Sequence, residues 1–520
     1  MHFVDELVLC LMFLIKYDFS GDKCYRRNPH HFREYAHPHL ESMHIEPKEP
    51  GILKEQFKIL KDLNLLSNEV PRIPSTSEEK QDVKVPSARA IPKEPLKEAH
   101  KMHPLIRKFQ NRRPWNTFFT KVKDVASTHK DSSSIFLTDL LHSCHGNLKS
   151  TVQINFLVDY DWLRMSYEAT GNEKIPLLIL YGEDRPDLKN IKEENVNAVR
   201  IRSPYPYGTH HTKLMILVYD DDSVRIVVST ANLVPSDWEN RTQALWVSPK
   251  CPKSSNPSDS QTNFKSALLR YLKAYQVSQL HSYISTIERT DMSEVNAFFV
   301  SSSPGSHEGA ALCHYGHMAA GAILRKHAKL CNWTLVVQCS SIGSLGQTPT
   351  AWAMGELSDS LAPNHKDVQV VYPSKKNVLD SIDGIFGGAC LPYRRNVNVK
   401  QPWLRDYLYQ WKSDRFSRTK VMPHIKTYAQ VEGHKSNYVL LTSANLSKAA
   451  WGKLNKNKDK LNIMSYEAGV LLLPKFLNET KEEFFDLKKD EFVLPYDLPL
   501  EKYNDSDTPF FMDDLDECLR

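Results

Sequence analysis

His211-Thr212-Lys213 runs into Leu214-Met215-Ile216-Leu217-Val218-Tyr219. The polar Asp220-Asp221-Asp222-Ser223 follows, then Val224-Arg225-Ile226-Val227-Val228 and the closing Ser229-Thr230-Ala231-Asn232-Leu233. Two apolar runs around an aspartate-rich turn predict a buried β-hairpin. Residues two apart on a strand share a face, so His211 and Lys213 are expected to point the same way. Asn232 lies just past the return strand, back beside the start of the hairpin. Three polar groups therefore converge at one strand end.

The chain repeats the phrase. His424-Ile425-Lys426 is followed 21 residues after its histidine by Asn445, as His211 is by Asn232, and the two copies lie 213 residues apart. A tryptophan trails each asparagine by six positions, Trp238 and Trp451. In the second copy Glu432-Gly433-His434-Lys435-Ser436-Asn437 reads as a longer loop before Tyr438-Val439-Leu440-Leu441. With 21 histidines in 520 residues, roughly one or two His-x-Lys triplets arise by chance, so the triplet alone carries little. His327-Ala328-Lys329 is such a case: nothing else of the phrase follows it, and it reads as the surface of an ordinary helix. Four shared features at matched spacing point instead to two similar halves that each contribute half of one site.

Length and composition frame this reading. The chain can form two or more domains with substantial cores. With 41% hydrophobic and 25% charged residues and a net charge of only +5, it reads as globular, with any basic patch local. Nine cysteines without a Cys-x-x-Cys pair suggest reduced thiols. The apolar run Leu7–Ile15 is nine residues, too short for a bilayer, and follows Asp5 and Glu6 where a signal peptide is basic. Residues 1–44 are histidine-rich. Residues 45–97 are expected to be a largely disordered linker, with a short amphipathic helix within Gly51–Asn68. Beyond about 98, apolar strands such as Ile175–Tyr181, Leu335–Val337 and Val368–Tyr372 alternate with helical patterns. That alternation predicts α/β layers with helices on a mixed sheet. A boundary near 290 separates the copies, giving expected domains of 98–290 and 291–520.

Cleaving a phosphodiester without a metal needs a nucleophile, a proton for the leaving oxygen, and donors for the charge that builds on phosphorus. Two histidines can divide the first two tasks because imidazole titrates near neutrality. Two lysines and two asparagines can serve the oxygens, the electrostatic work that dominates phosphoryl transfer. No Asp/Glu cluster accompanies them to hold a magnesium ion.

These residues resemble the phospholipase D superfamily, and within it the tyrosyl-DNA phosphodiesterases. Gly208-Thr209-His210-His211-Thr212-Lys213, Pro423-His424-Ile425-Lys426-Thr427-Tyr428, Ser443-Ala444-Asn445-Leu446-Ser447-Lys448 and Ser465-Tyr466-Glu467-Ala468-Gly469-Val470 carry the likeness. So do Ser340–Gly346 and Pro495-Tyr496-Asp497-Leu498-Pro499. Lipid-cleaving relatives add an aspartate five residues after each lysine, where this chain has Val218 and Val431. The tyrosyl-DNA branch instead places a glutamine and a glutamate further on, matched by Gln243 and Glu467.

The resemblance implies an α/β fold of two similar phospholipase D-like halves, each a mixed sheet flanked by helices. A pseudo-twofold relates them around one shared active site. His211 attacks the 3′-phosphate and forms a phosphohistidine; His424 protonates the leaving tyrosine and later activates water. Lys213, Lys426, Asn232 and Asn445 hold the oxygens, while Gln243 and Glu467 orient the histidines. We expect Glu467 behind His211, raising its basicity, and the neutral Gln243 behind His424. Ser341, Ser344 and Ser447 are the implied DNA contacts. The implied partners are DNA 3′ ends and the tyrosyl peptide of a type IB topoisomerase, handled by a nuclear monomer that needs no metal for catalysis. The competing readings are a phospholipase D-like lipid enzyme or nuclease, and a non-catalytic DNA or poly(ADP-ribose) scaffold.

Cys24, His31 and His37 resemble the later part of a poly(ADP-ribose)-binding zinc finger, with Asp18 where its first cysteine belongs. The resemblance implies a degenerate finger over 1–44 with a structural zinc on these three residues; the competing reading is a disordered histidine-rich tail.

Overall fold

The computed structural model describes residues 102–477, 482–488 and 494–519, with Lys16–Tyr17, Tyr35–Ala36 and Lys61. Cys24, His31, His37, Asp18 and, Lys61 apart, the expected linker lie outside the described residues. The chain divides into two compact units, Met1–Ala99 and His100–Arg520. In the first, Lys16–Tyr17 pairs in parallel with Tyr35–Ala36. The second contains both copies of the repeated phrase.

Its first sheet has eight strands: β1 (Thr117–Thr120), β2 (Ser134–Ile135), β3 (Leu148–Asn155), β4 (Leu177–Tyr181), β5 (Val196–Arg200), β6 (Leu214–Tyr219), β7 (Val224–Ser229) and β8 (Ala244–Val247). They lie in the order β2-β1-β8-β7-β6-β3-β4-β5. The second sheet uses β9 (Phe298–Ser302), β10 (Thr334–Gln338), β11 (Val368–Val371), β12 (Leu408–Tyr409), β13 (Thr427–Glu432), β14 (Lys435–Thr442) and β15 (Glu467–Leu472). Their order is β9-β15-β14-β13-β10-β11-β12, and Phe485–Asp486 pairs on the start of β14. Leaving out β2, the two orders superpose strand for strand. In both, the hairpin is antiparallel and the three strands beyond it are parallel to one another. This is the α/β duplication that the repeat predicts.

Both hairpins form, with one difference. The expected loop after Glu432 is mostly strand: Glu432 pairs with Lys435, so the turn is only Gly433-His434, and the register shifts between Gln430 and Val431. Gly433 sits at φ 56°, a left-handed conformation that glycine adopts without steric cost. A polar run beside a glycine suggests a loop, but the bulge absorbs the extra residue and lets pairing resume.

The strands are apolar because the sheet packs on both faces. Met215, Leu217 and Val227 join Leu140, Leu163 and Trp238 in one buried cluster. Burying each such aliphatic side chain contributes roughly 1.5–3 kcal/mol. The two halves are also joined through polar groups. The buried Arg418 guanidinium donates to Thr120 O at 2.7 Å and Ser134 Oγ at 2.9 Å, and Arg241 pairs with Asp383. Among the described residues no helix is long and apolar enough to cross a membrane.

Candidate active site

The two His-x-Lys triplets do not lie within the ladder; regular pairing starts at Leu214 and Thr427. The lysine carbonyls still accept from their own hairpins, Ser229 N–H to Lys213 O at 2.9 Å and Thr442 N–H to Lys426 O at 3.2 Å, but the histidine backbones bond to the opposite half. His211 N–H donates to Tyr466 O at 3.0 Å, and Tyr466 N–H to Thr209 O at 2.9 Å. Likewise His424 N–H donates to Thr242 O at 3.0 Å, and Thr242 N–H to Met422 O at 2.9 Å. Tyr466 and Thr242 immediately precede Glu467 and Gln243, so each crossing brings a polar side chain up behind the other half's histidine. Glu467 Oε2 stands 3.0 Å from His211 Nδ1, and Gln243 Nε2 stands 2.8 Å from His424 Nδ1. The first crossing is tight: a Cβ on Gly208 would meet the Met464 carbonyl oxygen at 2.0 Å.

The repeated phrase also supplies a hydroxyl two residues before each asparagine. Thr230 Oγ1 donates to Gln243 Oε1 at 2.8 Å, and Ser443 Oγ donates to Glu467 Oε2. Each hydroxyl accepts the next backbone N–H, of Ala244 and Ala468, at 3.0 Å. The third partners are thereby fixed from behind as well as in front. These hydroxyls stand in the quoted phrase itself, and only their role is new.

One group goes beyond the sequence reading. Asp237 is buried, with Oδ2 3.2 Å from His424 Nδ1 and accepting the Asn232 N–H at 2.6 Å. The expectation of a neutral amide alone behind His424 is therefore corrected: a carboxylate shares that nitrogen. Its signal was available, because aligning the two copies sets Asp237 against Ala450, one residue before each tryptophan.

Burial dominates the electrostatics. It pushes His211 below the ordinary imidazole range despite the opposing pull of Glu467, with Lys213 and Lys426 adding to the push. His211 is then neutral; its Nδ1–H donates to Glu467 and its Nε2 keeps a free lone pair. Burial and then Lys426 lower His424 too, while Asp237 opposes them. Burial alone would raise both carboxyls, yet His211 and Ser443 hold Glu467 low and His424 and the Asn232 N–H hold Asp237 low. The lysines are held to about 8 at Lys213, chiefly by burial, and about 7 at Lys426, by burial and then Lys213. Each ammonium donates to its own histidine's carbonyl. Two buried cations with their histidines make a receptacle for an anion.

The asparagines differ. Asn445 Oδ1 accepts the Ser340 N–H at 3.1 Å and the Ser341 N–H at 3.0 Å. Among the described residues Asn232 Oδ1 is buried without a partner. Ser341 thus lies beside Asn445, in a turn whose Ile342 bridges Leu446. Ser447 caps the helix Lys448–Trp451, and a Cβ on Gly343 would meet the Ser447 Cβ at 2.7 Å. Ser344 is exposed on the same turn. The third triplet stands apart, but His327 is not plain surface. It ends the helix Gly316–His327, half-buried, with its ring 5.2 Å from Phe298 and 5.3 Å from Phe476.

A duplicated α/β fold brings two histidines and two lysines together in one shared site, the equipment of a phosphodiesterase. The chain belongs to the tyrosyl-DNA phosphodiesterase family, whose model matches residues 116–504. It is 39% identical to Tyrosyl-DNA phosphodiesterase 1 of Drosophila melanogaster, over 95% of this chain and 99% of that one. Against the probable tyrosyl-DNA phosphodiesterase of Caenorhabditis elegans it is 33% identical, over 83% and 95% of the two chains. A crystal structure of the yeast tyrosyl-DNA phosphodiesterase shares the fold, with a TM-score of 0.60 at 20% identity over 76% of this chain and 99% of that one. A PBZ domain model matches residues 21–40, the segment that carries Cys24, His31 and His37.

Proposed function

We propose that the enzyme hydrolyses the bond between a DNA 3′-phosphate and a tyrosine through a phosphohistidine on His211. The observation that carries this reading is the Glu467–His211 contact, which ties up Nδ1 and leaves Nε2 free to attack phosphorus. The tyrosine oxygen leaves with the proton of His424. In the second step His424 takes a proton from water as the water attacks the phosphohistidine, releasing DNA that ends in a 3′-phosphate. An anionic phosphodiester between Lys213 and Lys426 offsets their repulsion of the His424 imidazolium, whose Nδ1–H faces the Asp237 carboxylate once the Gln243 amide turns its oxygen to that nitrogen. Substrate thus brings the general acid to its working charge. Asn232 and Asn445 serve the remaining oxygens.

The matching strand orders of residues 117–247 and 298–486 support domains at 98–290 and 291–520. The substrate is the tyrosyl peptide that a type IB topoisomerase leaves on DNA 3′ ends, bound along Ser341, Ser344 and Ser447 by a nuclear monomer. The PBZ match supports a zinc held by Cys24, His31 and His37, and poly(ADP-ribose) as its ligand; metal analysis of the full chain tests the first.

The deciding experiment is turnover of a 3′-phosphotyrosyl oligonucleotide in EDTA. Release of tyrosine and a 3′-phosphate end supports the reading. Absence of turnover, or strict dependence on added metal, overturns it.

A further inference from the structure

Arg225 stands second on β7 and shares a face with Val227, so its side chain runs along the core under the helix Pro104–Asn111. Its guanidinium carbon lies 5.5 Å from the centre of the Phe109 ring. It is half-buried, has no carboxylate or hydrogen-bond partner among the described residues, and its Nε is fully enclosed and unpartnered. A guanidinium has five donors and cannot shed its charge, so enclosing it without an anion is costly. It lines a cavity of about 160 Å³ together with Arg113, Gln110, His145 and Cys144.

The surroundings lack the acid that would explain Arg225. Asp139 caps Phe136 N–H and faces Lys121, and Asp221 pairs with Lys250. Beside Cys144, His103 and His142 accept the backbone N–H groups of Leu105 and Cys144 at Nδ1. His145 donates through Nε2 to Asp139 O and is driven down to about 4 by burial and then by Arg225. The charged side chains that line the space are the two guanidiniums, Arg113 and Arg225, and no carboxylate lines it with them.

We infer that this cavity is a second phosphate-binding site, separate from the catalytic one. It takes a phosphate group that docks on the Arg225 fork with Arg113 closing over it. The place is distinct: Arg225 near the start of β7 and Thr230 just past its end are five residues apart along extended chain, about 17 Å. The phosphate could belong to a small free nucleotide or to a nucleic-acid backbone.

Cys144 lines the cavity and reports on it locally. In the full-length enzyme, alkylation of Cys144 is followed by peptide mass spectrometry with inorganic pyrophosphate, and separately with a 3′-hydroxyl oligonucleotide. Protection of Cys144 by pyrophosphate assigns the small-anion source, and protection by the oligonucleotide alone assigns the backbone; either supports the site. Arg113→Ala and Arg225→Lys should raise the half-protecting concentration roughly tenfold or more, since each loses charge-assisted hydrogen bonds. Arg113 is exposed, so its variant should fold, with an unchanged thermal melt as the check. No protection by either probe, or equal protection in both variants, overturns the assignment.

Discussion

Asp237 and His424 meet at a single nitrogen: the carboxylate Oδ2 lies 3.2 Å from the imidazole Nδ1 and also accepts the Asn232 N–H at 2.6 Å. One carboxylate thus serves a histidine of one half and an asparagine of the other. Asp237→Asn should remove the charge that steadies the imidazolium and lower kcat by about 100-fold on a tyrosyl substrate, within the range of general acid catalysis. The check is a 3′-p-nitrophenyl ester, whose leaving group needs no proton. The deficit should largely vanish there; an equal loss on both substrates would mean that Asp237 only supports the fold.

Glu467→Gln acts on the other histidine. The variant keeps the shape but loses the charge behind Nδ1, so His211 becomes a weaker base and nucleophile. Rapid-quench measurement of the first turnover should show slower covalent attack, with leaving-group dependence unchanged. An unaltered attack rate rules out the assigned role.

The two histidines should fail in different ways. His424→Ala should accumulate a covalent DNA adduct on His211, visible as a shifted protein band after denaturation. His211→Ala should form none, with no product above background.

The lysines set a pH dependence. Each is cationic below its own value, and the free enzyme holds them at about 7 for Lys426 and about 8 for Lys213, mainly through burial. As pH rises through that window the cations are lost and grip on the phosphodiester weakens, so kcat/KM should fall on the alkaline side. Bound phosphate favours the charged amines, so the fall in kcat should come at higher pH. Profiles of both constants that fall together would contradict this.

Gly208 tests the crossing between halves. A methyl group there would meet the Met464 carbonyl at 2.0 Å, so the strands must part. Gly208→Ala should cost about 1–3 kcal/mol in a denaturant titration, typical of forced overpacking. It should also reduce activity by drawing Glu467 away from His211.

Much of this was legible in the chain because it is written twice. The hairpins, the duplicated sheet and the histidine, lysine and asparagine sets follow from local periodicity and matched spacing. What escaped depends on contacts between distant segments. Asp237 reads as an ordinary first-turn acid of a short helix until the fold brings His424 against it. The bulge that extends pairing to Lys435 could not be foreseen, because Ser436 and Asn437 are polar yet buried. Arg225 is one polar residue in an apolar run, and only the packing of Val227, two residues on, shows which face it takes.

The backbone crossings at Tyr466 and Thr242 bear on how such a site could arise. In a dimer of identical halves, symmetry would set the same residue behind both histidines, and neither could specialise. Joining the halves in one chain breaks that constraint. Once position 243 and position 467 are encoded separately, a glutamine can be kept in one and a glutamate in the other. The price of that freedom is mutual dependence: either half expressed alone carries a histidine whose backbone bond and polar partner belong to the missing one.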